Sequence, residues 1–371
     1  MIRQHSLRTL QESWESSAYG TENSLHQLAP YIGKLKSTLA RALIEQYSKV
    51  GDTVFDPFCG SGVIPLEAAC SGRKIIANDV SPYAQVLTLG KLHPKLSLEQ
   101  ALEDVALYVT EAKERAAIKE QERIAPPWVS AFFHPKTLAE ITELSALLRE
   151  NDEWFLLANL LGILHHQRPG FLSYPASHLV PYLRTKKFPP LEYPQMYEYR
   201  DVGPRIESKL RRTYKRITLP VASLNQVSKG DALQCVTATP VEALITSPPY
   251  MNALAYGRDN RLRLWLVNEE DATKVDEQTP RRRESFSNLM SGFAVRCQSW
   301  IKPNGVAVLV VGEVKRGSNV YDTKSIVCTK FQESGFWRLE ESVEDVVPDI
   351  RRSRRDCSAT KTEHILVFSR V

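Results

Sequence analysis

Three clusters in this sequence carry side chains whose types and spacing could do chemistry. They are Asp56-Pro57-Phe58-Cys59-Gly60-Ser61-Gly62, then Asp79, nineteen residues beyond Gly60, and far downstream Ser247-Pro248-Pro249-Tyr250. Gly60 and Gly62 let a backbone turn tightly and approach a ligand closely. An acid about twenty residues further on can accept hydrogen bonds from both hydroxyls of a ribose when it ends the next strand. The pair points to a cofactor that contains a nucleoside. In the third cluster two prolines fix φ at consecutive positions and donate no backbone N–H, so they end a strand. The Ser247 hydroxyl and the neighbouring carbonyls are then expected to stand free of any ladder, as a rigid group of hydrogen-bond acceptors.

These clusters need elements to hold them. The β-prone Thr53-Val54-Phe55 reads as a strand, Val63 to Cys70 has helical spacing, and Lys74 to Asn78 reads as a second strand ending in Asp79. That is a βαβ unit with the glycine turn at its first strand-to-helix junction. Pro65 stands where a dinucleotide-binding turn needs its third glycine, which disfavours a nicotinamide cofactor and makes S-adenosylmethionine the better fit. A helix over Leu35 to Tyr47 leads into the unit, and Ser81-Pro82 starts another after it. Val241 to Thr246 is the strand that delivers Ser247. A helix over 285–301, a central strand Gly305 to Gly312 and a helix over 323–334 follow. Trp337 to Val347 and His364 to Phe368 read as two strands, one antiparallel, joined by an arginine-rich loop.

Asp56-Pro-Phe-Cys-Gly-Ser-Gly62 followed by Thr246-Ser-Pro-Pro-Tyr250 resembles the cofactor and catalytic motifs of the DNA amino-methyltransferase family. The resemblance implies an α/β, Rossmann-like methyltransferase fold: a mostly parallel seven-stranded sheet with one antiparallel strand, plus a largely helical insertion. It implies S-adenosylmethionine as cofactor, held by Asp56, Pro57, Phe58, Cys59, Gly60 and Gly62, with Asp79 on the ribose. Tyr31, Gly33 and Lys34 match the position of a family segment that folds over the methionine end, and Asp231 matches an acid that contacts the adenine. Ser247, Pro248, Pro249 and Tyr250 are the expected catalytic group. The order of cofactor motif, insertion and catalytic motif resembles the family members that begin with the cofactor half. The insertion precedes Asp231, which departs from that pattern.

The chemistry implied is methyl transfer to an exocyclic amine, which needs in-line positioning and a more nucleophilic nitrogen rather than a metal or a covalent nucleophile. Acceptors on the amino hydrogens, the Ser247 hydroxyl and the Pro248 carbonyl, favour the pyramidal nitrogen that can attack. Tyr250 would stack on a base flipped out of the duplex. Methylation at carbon 5 would need a cysteine nucleophile, and Cys59 lies in the cofactor turn instead. Ser in the first motif position tilts the resemblance toward cytosine N4, with adenine N6 as the close alternative. An RNA amino-methyltransferase and a binding protein that kept the fold without catalysis are further alternatives.

Composition bounds the rest. A chain of 371 residues with 43% hydrophobic content can hold a large α/β domain with an insertion. We expect residues 1–94 as the cofactor half, 95–216 as a helical and basic insertion and 217–371 as the catalytic half. Residues 1–24 are expected as a loose arm or a strap. Lys and Arg exceed Asp and Glu by 48 to 43, too mild a bias to announce a polyanionic partner without clustering. Clustering exists: residues 181–216 hold ten Lys or Arg against four acids, interleaved with tyrosines. Arg184, Lys186, Lys187, Arg211 and Arg212, with Arg351 and Arg352 in the late loop, are the expected contacts to double-stranded DNA. The family resemblance also brings a cognate restriction endonuclease into view as a companion. Six scattered cysteines without a C-x-x-C pair, and histidines without ligand spacing, argue against a metal site. No apolar run is long enough to span a membrane and no signal sequence stands at the start, so a cytoplasmic, nucleoid-associated protein of prokaryotic type is expected.

Overall fold

The computed structural model describes residues 22–118, 125–221, 225–251, 255–268, 272–280, 282–316, 319–346 and 362–371, together with Leu7, Gln11 and Trp14. Arg351 and Arg352, and the rest of the arginine-rich loop, lie outside the described residues.

Short β-branched runs set the strands. β1 (Thr53–Asp56), β2 (Lys74–Asp79), β3 (Asn225–Lys229), β4 (Val241–Thr246) and β5 (Ile301–Gly312) run parallel. After a short hairpin of β6 (Val314–Arg316) and β7 (Asn319–Tyr321), β8 (Trp337–Val346) and β9 (Thr362–Arg370) complete the main sheet. Its order is β3-β2-β1-β4-β5-β9-β8, and β9 is antiparallel to both of its neighbours. This is the mostly parallel seven-stranded α/β sheet expected from the sequence.

The order reverses between β1 and β4, and an open sheet presents its ligand crevice outside the carboxyl ends of the strands at such a point. The ends of β1, β2, β3 and β4 lead into Pro57–Gly62, Val80–Ser81, Gly230–Asp231 and Ser247–Tyr250, so all the predicted chemistry faces one edge. Because β9 runs the other way, its amino end arrives at that same edge, with Glu363 paired in register to Gly312 and Asp345.

Both faces of the sheet are covered, as a parallel sheet requires. One carries the Ser37–Tyr47 and Val63–Cys70 helices over Ile75, Val308, Val310 and Ile365. The other packs Phe293, Trp300 and Phe331 onto Phe55, Leu309 and Phe368. A third cluster joins the helices Leu98–Ile118, Pro135–Glu150, Trp154–Gly162 and Val202–Thr213 to Tyr83, Val86 and Leu87 on one side and to Leu262, Leu264, Leu266 and Val275 on the other.

Within the stretch expected as helical and basic, the segment 202–213 is a helix capped by Asp201 whose Val202, Ile206 and Leu210 are buried. Leu7 and Trp14 are fully buried, with the Leu7 N–H on Glu341 (2.9 Å) and the Trp14 indole on Asp345 (3.3 Å). Those residues cover the edge strand β8, which favours the strap over the loose arm.

Candidate active site

The glycine turn is built by backbone geometry. Gly60 and Gly62 hold φ of +50° and +71°, in the left-handed region that costs a side chain dearly. A Cβ at Gly62 would lie 2.7 Å from the Thr88 hydroxyl and 2.9 Å from the Thr88 Cα, so this glycine brings the helix Pro82–Leu92 close beneath the turn. The Gly60 N–H donates to one Asp79 oxygen (2.8 Å) and the Ser81 N–H to the other (2.9 Å). Asp79 therefore binds the turn to the start of the next helix, with the Val80 N–H as a further backbone partner. Asp56 accepts from the Thr246 hydroxyl (2.6 Å), which ties β1 to β4 at the point where the order reverses. Burial pushes Asp56 up to about 7 and Asp79 up to about 6, against the pull of these hydrogen bonds.

Together these residues wall a cavity of about 310 Å³ that is shared by both ends of the crevice. Tyr31 lies along it, stacked on Tyr83 (5.9 Å between ring centres) and tilted against Tyr256 (6.3 Å). Asp231 lines it too, while its carboxylate caps the short turn Ala232–Gln234 through the Leu233 N–H (2.9 Å). Beneath the turn, the buried Lys91 ammonium donates to the Ser61 carbonyl, and burial lowers Lys91 to about 7.

At the other end, Ser247, Pro249 and Tyr250 line the same cavity. The Ser247 hydroxyl is not free as expected: it lies 3.0 Å from the Val310 carbonyl and 3.3 Å from the Tyr250 hydroxyl. Strand β5 next door supplies that carbonyl, so the one hydroxyl proton has two acceptors within reach, the Val310 carbonyl and the Tyr250 oxygen, while the serine oxygen keeps its lone pairs. The Tyr250 hydroxyl donates to Glu363 (2.8 Å), which holds the ring in the wall by its tip.

Residues 27–125 match the family model described as UPF0020: RMKL-like, methyltransferase domain. The cofactor is S-adenosylmethionine. Two curated relatives align with the chain, both type II methyltransferases. M.BsoBI of Geobacillus stearothermophilus is 24% identical over 293 residues, which is 67% of this chain and 53% of that protein. M.MjaII of Methanocaldococcus jannaschii is 32% identical over 68 residues, 18% of this chain and 13% of that one. The chain thus spans about half or less of the length of these relatives. The crystal structure of TrmN from Thermus thermophilus aligns over 98% of this chain and 53% of its own, at 12% identity and a TM-score of 0.36.

The residues present fit S-adenosylmethionine. Ser61 lines the cavity with a buried hydroxyl that has no hydrogen-bond partner among the described residues, an orphaned group that a polar ligand would satisfy. Asp56 and Asp79 place two acids along a site for a cationic sulfonium compound, and the cavity is of the size of a small-molecule site.

Of the residues singled out from the sequence, Tyr31, Gly33, Lys34, Asp56, Pro57, Phe58, Cys59, Gly60, Asp79, Asp231, Ser247, Pro249 and Tyr250 border this cavity. Gly62 and Pro248 stand behind its surface. Arg184, Lys186, Lys187, Arg211 and Arg212 lie elsewhere: Lys186, Lys187, Arg211 and Arg212 are exposed, and Arg184 is engaged with Gln167 (2.7 Å). Lys209, in the same basic stretch, is buried and donates to the Gln27 carbonyl (2.6 Å), so it is no phosphate contact. Sequence reasoning assigned no role to Ser61, Ser81, Tyr256, Gln278 and Thr279 in the wall, or to Glu363 behind it. Ser61 lies inside the first motif and Ser81 just after Asp79, so both were findable; Glu363 carries no local signal at all.

Proposed function

We propose that the chain is an S-adenosylmethionine-dependent methyltransferase that acts on the exocyclic amino group of a base flipped out of double-stranded DNA, with cytosine N4 as the target. The observation that carries this reading is the single cavity shared by Asp79, the glycine turn, Ser247 and Tyr250. Similarity to type II methyltransferases supports it over part of the chain. Bound S-adenosylmethionine supplies an electrophilic methyl group on a sulfonium centre.

The chain's own residues do the rest by positioning. Asp79 takes the ribose hydroxyls, Asp231 faces the adenine, and Tyr31, Gly33 and Lys34 close over the methionine end. The Ser247 oxygen and the Pro248 carbonyl accept the amino hydrogens of the base, favouring a pyramidal nitrogen. Tyr250, pinned by its hydroxyl, offers a ring for the base to pack on, a contact worth about 1–3 kcal/mol. Residues 95–216 form the recognition region, with Arg184, Lys186, Lys187, Arg211 and Arg212 toward the phosphates, joined by Arg351 and Arg352. Mass spectrometry of nucleosides from DNA incubated with protein and cofactor tests the reading. N4-methylcytosine is expected; N6-methyladenine would replace the base and keep the class, and no methylated amino base would overturn it.

A further inference from the structure

Methyl transfer to an amine leaves a proton to be disposed of, and the hydrogen bonds behind Ser247 lead to one place. The Ser247 hydroxyl is 3.3 Å from the Tyr250 hydroxyl, which is 2.8 Å from the Glu363 carboxylate. Glu363 arrives from the opposite end of the chain on antiparallel β9, at the register position between Gly312 and Asp345. A carboxylate in this enclosed spot has no evident structural purpose, since Tyr250 could end on a backbone carbonyl or a neutral amide.

We propose that Glu363 is the terminal proton acceptor of the methyl-transfer step, reached from the target amine through Ser247 and Tyr250. The inference rests on the amino-methyltransferase reading above. As the new N–C bond forms and the methyl–sulfur bond breaks, the sulfur keeps the bonding pair and becomes a neutral thioether. The amino nitrogen gains positive charge and loses one hydrogen as a proton to the Ser247 oxygen. With its hydroxyl turned from the Val310 carbonyl to the Tyr250 oxygen, Ser247 passes its own proton to Tyr250, and Tyr250 passes its own to Glu363, which becomes the neutral acid. Both hydroxyls end as they began. Solvent takes the proton from Glu363 once product leaves.

The surroundings suit an acceptor. Burial raises the pKa of Glu363, and Asp345 on β8 raises it further, while the Tyr250 hydrogen bond and Lys36 lower it. Asp345 is in turn anchored by Lys36 (3.0 Å) and by the Trp14 indole (3.3 Å). A raised pKa makes the carboxylate a better base than an exposed one. Acceptance requires the ionised form, so the rate is full above the folded pKa and is lost as pH falls through it.

Glu363→Gln is the decisive variant, because its amide oxygen can still accept from Tyr250 and keeps the ring in place but cannot take a proton. Single-turnover methylation at pH 8 is expected to drop about 100-fold, a typical share for positioned acid–base groups, and, with cofactor kept saturating at every pH so that its weaker binding at low pH does not enter, to lose the low-pH limb of the wild-type profile. Tyr250→Phe should lose the same limb, and the double variant should be no slower than Tyr250→Phe alone. Cofactor affinity by calorimetry should stay unchanged in Glu363→Gln, which also shows that it folds. Independently of activity, a carbon-13 carboxyl resonance present in the wild type and missing from Glu363→Gln should titrate above the ordinary glutamate range. A Glu363→Gln enzyme with wild-type rate and pH profile, or an ordinary titration, would overturn the relay while leaving the methyltransferase reading intact. A wild-type protein that methylates no amino base would overturn that reading and the relay with it.

Discussion

At one end of the crevice two short stretches, Asp56–Ile64 and Asp79–Ser81, supply much of the wall, together with residues of the Tyr31–Leu35 segment and the turn at Asp231. At the other end Ser247–Tyr250 are held by the Val310 carbonyl of β5 and by Glu363 of β9, and share the wall with Tyr256, Gln278 and Thr279. The first end is held by backbone: positive-φ glycines and N–H groups on Asp79. The second is assembled from groups that meet from separate parts of the chain, Glu363 by its side chain and Val310 by its carbonyl. A cofactor common to many reactions suits a local scaffold, whereas the target end takes its shape from the whole tertiary structure. Changes at the two ends should therefore separate into cofactor binding and turnover.

Ser247→Ala gives the sharpest test of that separation. Losing one preorganised polar contact to the reacting group typically costs about 100-fold or more in turnover, and calorimetry should find cofactor affinity unchanged. If affinity fell in step with turnover, the two ends would have to be one coupled unit. Asp79→Ala should do the converse. Hydrogen bonds to a charged group are worth roughly 1.5–3 kcal/mol each, so cofactor affinity should weaken by about 10- to 100-fold or more. Turnover at saturating cofactor should change far less, and a folded variant with unchanged affinity would take Asp79 out of the site.

pH reads the same end without mutation. Asp56 and Asp79 sit at about 7 and about 6, and a sulfonium cofactor and its ribose hydroxyls prefer both ionised. Cofactor affinity should then fall as pH drops from about 7 to about 5. For the cofactor-free protein the sign is reversed. The folded acids hold protons more tightly than the unfolded chain, whose value is near 3.8, so their contribution to stability declines as pH rises from about 4 to about 7. Thermal melts with and without cofactor across that range should diverge; parallel curves would mean that neither acid senses the ligand. Gly62→Ala should act on stability instead. Its added carbon would strike the Thr88 backbone at a positive φ, at a cost of about 1–3 kcal/mol, visible as a lowered Tm even where cofactor binding survives.

The same contrast explains what could be read from the sequence. The cofactor end was legible because its rules are local: a glycine turn between strand and helix, then an acid at the next strand's end. The antiparallel late strand was legible too, since Trp337–Val346 and His364–Phe368 have strand composition. Glu363 was not, because its role comes from the register of β9 against β5 and β8, and register is not written in one strand. The buried face of the helix 202–213 was hidden for another reason: its charges dominate its composition, while the few apolar residues that bury it recur at helical spacing. Lys209 shows the cost of reading charge alone, since a lysine stem can pack inward and spend its ammonium on a buried carbonyl.

The smallest expected effect concerns the surface far from the cavity. Arg211 and Arg212 are exposed on the last turn of the helix Val202–Thr213, where their charges also favour the negative end of the helix dipole. Neither borders the cavity, so reversing both to Glu should leave cofactor affinity alone and weaken DNA binding through phosphates. Contacts of that kind release condensed counterions, and each one removed should lower the slope of log affinity against log salt by about 0.9. The double reversal should thus cut the slope by about two and weaken all sequences alike, as titrations of several duplexes at a series of salt concentrations would measure. A loss confined to one sequence would mean that these arginines read base edges, drawing the recognition surface onto this helix. An unchanged slope would move the phosphate contacts elsewhere and leave both ends of the crevice as they stand.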